Sequence, residues 1–270
     1  MRVLLLGNGR VAADLAREIR IGGDEICGLV VHPPERARDR PMLERAAGVG
    51  PDRTVEGHRL RDPLTHAKLR SFQPDIAVSA YFGFIVPPEV LEAVPQGCVN
   101  VHPSFLPHNR GAHPNVWSIV DRSPAGVTLH WMDQGIDTGP IIAQRQVNVE
   151  PVDTGASLYA RLEDAAVALF RETWPAVRAG TAPRQEQPPG GSAHRVRDLD
   201  AIDCIDLNRT YTARQLLDLL RARSFPPYPG AFFEDQGKRV YLRLELSYAD
   251  GEGDAPADLR SPSEARAEPS

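Results

Sequence analysis

Short apolar runs alternate with helical patterns over the first half of the chain. The runs at residues 3–6 and 76–80, and the run EICGLVV before Pro33, end at glycine or proline and predict buried strands. Apolar positions at helical spacing follow the first run through residues 11–19, and residues 35–53 form a charged stretch of helix and loop. This alternation predicts a parallel sheet covered on both faces, with functional residues at the carboxyl ends of its strands.

The middle of the chain continues with three extended patterns and one long helix. The run GCVNVH predicts a short strand that ends at His102, and AGVTLHWMD predicts another strand. GPIIAQRQVNVE has the pattern of a hairpin-like extended run. The amphipathic pattern that follows predicts a helix capped by Thr154 and ending before Gly180.

Composition divides the chain into four predicted parts. Residues 1–182 form the main α/β domain, and residues 183–194, rich in Pro, Gly and Gln, form a linker. Residues 195–248 form a small subdomain of one helix and a β-hairpin that turns near Gly237. Residues 249–270 have no apolar pattern and are expected to be a disordered tail.

Charge and cysteine usage narrow the class of protein. A net charge of −5 and a pI near 5.9 argue against a wide basic surface for nucleic acid. Three separated cysteines predict reduced thiols rather than a disulfide framework or a cysteine zinc site. The short apolar N-terminus and the absence of an eighteen-residue apolar run favour a cytoplasmic protein that does not enter membranes.

Two familiar site types fit the chain poorly. GNGRVA at residues 7–12 matches a dinucleotide-binding turn, but His32 and two prolines stand where the ribose-binding acid belongs. His102, His108 and His113 lie close together, but their spacing of six and five matches no zinc motif. We therefore predict a tight strand-to-helix turn and no metal.

Asn100 and His102 form the more informative pair. They lie two residues apart on a strand, so their side chains face the same side of the sheet. Asp137 follows in a glycine-flanked turn and is a candidate to orient His102 or relay its proton, with Asp133 as the competing acid. The residues alone also allow a hydrogen-bonded structural pair.

These residues carry a family resemblance. NVHPSFLPHNRGAHPNVWSI and AGVTLHWMDQGIDTGPIIAQ resemble the formyltransferases that use N10-formyltetrahydrofolate, and the resemblance covers roughly residues 1–180. It implies a Rossmann-like domain with a mostly parallel sheet, followed here by the small C-terminal extension. It also implies that Asn100, His102 and Asp137 are catalytic and that no metal takes part. The Asn100 amide and a protonated His102 would stabilise the oxyanion, and Asp137 would carry the proton traffic.

The same resemblance implies where the formyl donor binds. SAYFGFIVP resembles the loop whose backbone reads the pterin edge, so Phe82, Gly83 and Ile85 are candidates to line the cofactor site. The turn that carries Asp137 would add further contacts. The alternative is that Phe82, Phe84 and Ile85 only fill the core.

The acceptor is the open question. The segments NRGAHPNVWSIVDRSPAGVTLHW and RARSFPPYPGAFFEDQGKRVYLR most resemble the branch that formylates nucleotide-linked amino sugars. In this reading one arginine meets a pyrophosphate, and aromatic side chains stack on a base or sugar. The residues assigned to the acceptor side are Arg110, His113, Asn115, Trp117, Arg223 and Tyr228.

The sequence fits other acceptors and activities less well. The glycinamide ribonucleotide branch is disfavoured because LGNGRVAAD matches its phosphate loop poorly. The methionyl-tRNA branch expects a basic C-terminal domain, whereas residues 190–270 contain eleven Lys or Arg against fourteen Asp or Glu. A small non-sugar amine, hydrolysis of the formyl donor and non-catalytic binding of folate or nucleotide also remain open. Many members of the family dimerise, so a homodimer is one expectation.

Overall fold

The computed structural model describes residues 1–249, which form a mixed α/β fold. Within these residues the strands are β1 Arg2–Gly7, β2 Glu25–Val31, β3 Thr54–Glu56, β4 Ile76–Ala80, β5 Cys98–His102, β6 Arg110–Gly111, β7 Gly126–Trp131, β8 Ile141–Gln146, β9 Ala193–His194, β10 Ala231–Asp235 and β11 Lys238–Leu242. The helices are α1 Gly9–Ile21, α2 Arg40–Ala47, α3 Pro63–Ser71, α4 Pro88–Leu91, α5 Pro114–Val120, α6 Gly155–Arg178, α7 Asp200–Asp203 and α8 Ala213–Arg223. The disordered tail predicted for residues 249–270 lies, except for its first residue, outside the described part of the chain.

The central sheet has seven strands in the order β3-β2-β1-β4-β5-β7-β8. The first five run parallel, and β7 is antiparallel to both β5 and β8. The mostly parallel sheet is therefore confirmed. Two apolar clusters cover its faces, one built with α1, α5 and α6 and the other with α3. The order reverses at β1 and β4, so ligands are expected beside the carboxyl ends of β1, β4 and β5.

Local sequence signals explain most of these elements. The run IAVSA is buried throughout as β4, and β5 ends at His102 as predicted. The N-cap of α6 is Thr154, whose side chain accepts a hydrogen bond from the Ser157 backbone while Ser157 bonds back to the cap. The hairpin of β10 and β11 turns at Gly237, which has a positive φ of 75°.

The C-terminal extension is fixed to the main domain through a glycine. A Cβ atom added to Gly155, at the start of α6, would lie 2.2 Å from the Ala222 carbonyl oxygen in α8. The buried Asn115 amide of α5 donates to the Gly155 carbonyl oxygen over 2.9 Å. Three helices thus meet at one backbone position where a side chain has no room.

Residues 183–194, which we call the connecting segment, are ordered against the main domain. Gln185 exchanges two backbone hydrogen bonds with Ile141, and β9 pairs in parallel with β6. The division of the chain at this segment stays a prediction. Of the helices that the structure describes, none combines the length and apolar character needed to cross a membrane.

Candidate active site

Three neighbouring strands, β4, β5 and β7, meet where the sequence places its polar pair. Asn100 on β5 stands directly opposite His130 on β7, and beside Ser79 on β4. Asn100 and His102 share one face because strand side chains alternate. The loop after β7 returns with Asp137, which has a positive φ of 54°. Asp tolerates this left-handed conformation better than most residues, and such strain is common at functional sites.

Asp137 is the centre of the cluster. Its Oδ2 atom accepts a hydrogen bond from the Gly111 backbone N–H over 2.9 Å and lies 3.6 Å from Nδ1 of His102. Its Oδ1 atom accepts from the Asn100 amide over 3.2 Å and lies 3.5 Å from Nε2 of His130. The structure therefore brings the three predicted catalytic residues together. Asp133, the competing acid, instead binds its own loop through the Gly135 N–H and the Thr138 hydroxyl.

The partners of His102 fix the position of its proton. Its Nε2 atom lies 3.2 Å from the Asn109 carbonyl oxygen, which only accepts, so the neutral ring carries its proton there. Nδ1 is then the free proton acceptor and faces Asp137. Asn109 is fully buried with a positive φ of 57°, and its role was missed because an Asn before Arg-Gly is typical of any turn.

His130 is a second histidine that sequence reasoning missed. Its Nδ1–H donates to the Trp131 carbonyl oxygen over 3.0 Å, which leaves Nε2 to accept from the Asn100 amide over 3.1 Å. One histidine inside an apolar strand looks like a core residue. Only the antiparallel pairing with β5 places it beside Asn100.

The protonation states follow from burial and charge. Burial lowers the pKa of His102 below its usual value, and His130 adds to this while Asp137 opposes it. Burial by itself would raise the pKa of Asp137, but the His102 and His130 rings and the Gly111 N–H hold it well below its ordinary value. The free protein thus contains an ionised Asp137 and a neutral His102. The stabilisation of the oxyanion by a protonated His102, expected from the resemblance, stays a prediction for the intermediate.

The predicted cofactor residues lie on the loop that follows β4. Nε2 of the buried His32 accepts the Gly83 backbone N–H over 3.0 Å, and the Phe82 and Phe84 rings pack edge-on against His32. Ile85, by contrast, is 66% exposed. His32 thus anchors the loop, while the prediction that Phe82, Gly83 and Ile85 bind the donor stays a prediction.

Four of the predicted acceptor residues are engaged within the protein. Asn115 is buried and bonded to α6, and Trp117 is buried and stacked on the His194 ring. The buried face of a short helix holds both side chains inside, and their assignment to the acceptor side stays a prediction. Arg110 donates to the Gln187 side chain, and Arg223 pairs with Asp203.

His113 and Tyr228 remain on an open surface that also holds Arg38. The exposed Arg38 guanidinium donates to the Tyr228 hydroxyl over 3.1 Å and to the Tyr159 hydroxyl over 3.4 Å. Desolvation and the positive charges of Arg223 and Arg38 lower the pKa of His113. We call Arg38, His113, Tyr159 and Tyr228 the acceptor-side cluster. Arg38 was missed because it lies in an unpatterned charged stretch.

The described residues contain no cluster of side chains arranged to bind a metal ion. Between residues 1 and 249, no group of three or more His, Cys, Asp or Glu side chains is placed to hold an ion. The polar atoms of the site are instead arranged as neutral donors and acceptors around one carboxylate.

Comparison with known proteins gives matches along both parts of the chain. A family model described as formyl transferase matches residues 1–173, and one described as the N-formyltransferase dimerization C-terminal domain matches residues 198–248. The chain is 33% identical over 267 residues to methionyl-tRNA formyltransferase of Myxococcus xanthus, covering 96% of this chain and 82% of that protein.

Two further matches involve nucleotide sugars. The dTDP-4-amino-4,6-dideoxyglucose formyltransferase of Mycobacterium bovis is 39% identical over 150 residues, covering 55% of this chain and 64% of that protein. The formyltransferase PseJ of Anoxybacillus kamchatkensis, solved in complex with UDP-4,6-dideoxy-4-formamido-L-AltNAc and tetrahydrofolate, is 32% identical with a TM-score of 0.58. That match covers 74% of this chain and 89% of PseJ.

Proposed function

The chain belongs to the formyl transferase family, and from that premise we propose that it transfers a formyl group from N10-formyltetrahydrofolate to the primary amine of a nucleotide-linked amino sugar. The observation that carries the reaction is the position of Asp137 between His102 and Asn100 at the carboxyl end of β5. A carboxylate, a neutral imidazole and an amide within hydrogen-bonding reach of one point are the groups that acyl transfer to an amine requires.

Each side chain has a role that follows from its partners. The attacking amine forms a bond to the formyl carbon and must lose a proton, and Nδ1 of His102 is free to accept it. The Asp137 carboxylate then stabilises the imidazolium ion that forms beside it. The Asn100 amide can donate to the oxyanion by exchanging one of its two present hydrogen bonds. The bond between the formyl carbon and N10 breaks, and the proton on His102 passes to N10.

The donor is proposed to lie between the loop after β4 and the turn that carries Asp137. Each of these segments has one exposed apolar side chain. Ile85 is 66% exposed and Ile136 is 59% exposed. Apolar side chains beside free backbone groups suit a planar ring with a polar edge. PseJ, a relative of known structure, was solved with tetrahydrofolate.

The amino-sugar acceptor is supported by two relatives and by the acceptor-side cluster. The Mycobacterium bovis protein acts on a dTDP-linked 4-amino sugar, and PseJ was solved with a UDP-linked 4-formamido sugar. An exposed arginine beside two tyrosines can pair with a diphosphate and stack on a base. We propose that Arg38 and Tyr228 meet the nucleotide and that His113 lies between it and the reacting amine.

A second candidate acceptor is methionyl-tRNA. The match to the Myxococcus xanthus protein covers nearly the whole chain and favours it. The acidic balance of residues 190–270 is unfavourable for tracking phosphates, which keeps the sugar acceptor ahead.

A direct assay separates the acceptors. Purified protein is incubated with N10-formyltetrahydrofolate and either dTDP-4-amino-4,6-dideoxyglucose, a UDP-linked 4-amino sugar, methionyl-tRNA or water alone. Mass spectrometry should detect one added formyl group on a nucleotide sugar, with the His102→Ala variant as the blank. Formylation of methionyl-tRNA alone would contradict the sugar acceptor and favour the tRNA acceptor. Release of formate without any acceptor would instead indicate hydrolysis of the formyl donor.

We also propose that the chain assembles as a homodimer through residues 198–248. This region matches a domain described as a dimerization domain, and strand β11 exposes Val240 and Tyr241. Light scattering should give twice the monomer mass for the wild type, whereas a monomeric mass at all concentrations would exclude the dimer. The Val240→Lys variant should shift the mass toward the monomer.

A further inference from the structure

The connecting segment contacts the structures that hold both catalytic groups. Gln187 reaches the Asp137 turn, and Ser192 reaches Asn109, the residue whose carbonyl oxygen fixes His102. From these contacts we propose that Gln187 and Ser192 are positioning residues for catalysis and that the connecting segment is part of the active site. The inference rests on the proposed function because it takes Asp137 and His102 as the catalytic pair.

Gln187 holds the Asp137 turn from two sides. Its Nε2 atom donates to the carbonyl oxygens of Asp137 and Gly139 over 2.8 and 2.9 Å. Its Oε1 atom accepts from the Arg110 guanidinium over 2.7 Å and 3.1 Å. One amide thus ties the turn that carries the carboxylate to the strand whose Gly111 N–H binds that carboxylate. A turn with a residue at positive φ gains most from such external support.

Strand β9 supports the backbone around Gly111, whose N–H binds Asp137. Its His194 carbonyl oxygen accepts the Ala112 N–H over 2.8 Å. A Cβ atom on Gly111 would lie 2.4 Å from the same oxygen, and the φ of Gly111 is +85°. Only glycine therefore fits where the N–H that binds Asp137 must be presented.

Ser192 supports His102 indirectly, through its hydrogen bonds to Asn109. Its Oγ atom accepts the Asn109 backbone N–H over 2.9 Å and donates to the Asn109 side-chain oxygen over 3.0 Å. The carbonyl oxygen of Asn109 in turn binds Nε2 of His102. Loss of the serine hydroxyl would leave the Asn109 N–H and side-chain oxygen without this partner, so that only the bonds to Ser118 and Ser123 would still hold its side chain. The carbonyl oxygen that sets which ring nitrogen of His102 carries the proton would then be held less firmly.

The structure offers a matched control on the same segment. Gln185 is exposed and joins β8 through its backbone alone, so its side chain supports neither catalytic group. Gln187→Ala should lower kcat about 10²-fold with little change in KM, since small displacements of catalytic groups cost about this much. Gln187→Glu keeps the length and the bond to Arg110 but loses both N–H donors, so it should show a similar loss. Gln185→Ala should match the wild type.

A measurement without substrate completes the test. Nitrogen NMR of the histidine side chains reports the tautomer and the pKa of His102 in the free protein. In Gln187→Ala, Asp137 should move away and the pKa of His102 should fall further, because the carboxylate no longer opposes the effect of burial. In Ser192→Ala the fixed Nε2–H tautomer should be lost. Wild-type kcat and wild-type histidine signals in Gln187→Ala, or equal losses in Gln185→Ala, would overturn the inference.

The two proposals fail separately. Failure of the wild type to formylate any nucleotide sugar would remove the proposed function itself, whereas retained turnover in His102→Ala would remove only the role assigned to His102. An inactive His102→Ala together with a fully active Gln187→Ala would leave the function intact and remove only the role of the connecting segment.

Discussion

The proposed reaction centre, formed by Asn100, His102 and Asp137, and the acceptor-side cluster are built in different ways. Around Asp137 the polar atoms are buried and partnered, and paired strands hold them in register. Around Arg38 and Tyr228 the side chains come from a loop, a helix and the C-terminal extension. Arg38, His113 and Tyr228 are exposed, Tyr159 is half-buried, and the Arg38 guanidinium joins the two tyrosine hydroxyls. Under the proposed function, the first arrangement sets the reaction and the second accommodates acceptors of similar charge. The proposed chemistry and the proposed choice of acceptor therefore depend on different parts of the protein.

The strongest test of this contrast removes the reaction centre. Asp137→Ala and His102→Ala should each lower kcat about 10³-fold, the usual contribution of a positioned general acid or base. Steady-state kinetics with the formylated acceptor would measure the loss, and circular dichroism would confirm the fold. Near-native turnover in either variant would remove the assigned role.

A smaller effect is expected on the acceptor side. Arg38→Ala should raise KM for the nucleotide sugar about tenfold and leave kcat nearly unchanged, because a hydrogen bond to a charged group contributes about 1.5–3 kcal/mol. Arg70→Ala on α3, near the opposite face of the sheet, is the control and should behave as the wild type. A drop in kcat without a change in KM would place Arg38 in the reaction centre instead.

The pH profile sharpens the contrast further. Proton transfer requires neutral His102, whose pKa lies below the usual 6.5, so kcat/KM should stay level at neutral pH. At acid pH it should fall about tenfold per pH unit once His102 is protonated. The acid limb should be the same in wild type and Arg38→Ala. A limb above pH 6.5, or one that moves with Arg38, would contradict the assignment.

The smallest effect concerns helix caps in the two parts of the chain. Thr154 caps α6 and Thr212 caps α8, each with a capping box. Replacing either by Ala should cost about 1 kcal/mol of unfolding free energy and leave the kinetic constants unchanged. Denaturant unfolding measures the cost, and a change in kcat for Thr154→Ala would show that α6 does more than support the sheet.

Elements with strong local signals were predicted from the sequence. The strand at 76–80, the end of β5 at His102 and the Thr154 cap depend on apolar runs, strand alternation and one capping side chain. The pairing of Asn100 with His102 followed from strand alternation alone.

Contacts between distant segments could not be predicted in this way. His130 comes beside Asn100 only through the register of β7 on β5, and Trp117 is buried by stacking on His194 from a distant segment. The connecting segment has the composition of a linker, yet its backbone and several of its side chains, Gln187 and Ser192 among them, bind the main domain. Hydrogen bonds of this kind leave no periodic pattern for sequence reasoning to detect.

The meeting of α5, α6 and α8 at Gly155 limits which C-terminal extensions can be exchanged between relatives. Because a side chain at this position would collide with the backbone of Ala222, a C-terminal extension from another protein docks here only with its matching helix start. A cut within residues 183–194 would separate α8 from the α6 start on which it fits. Chimeric enzymes should therefore keep α8 and the first turn of α6 from the same parent.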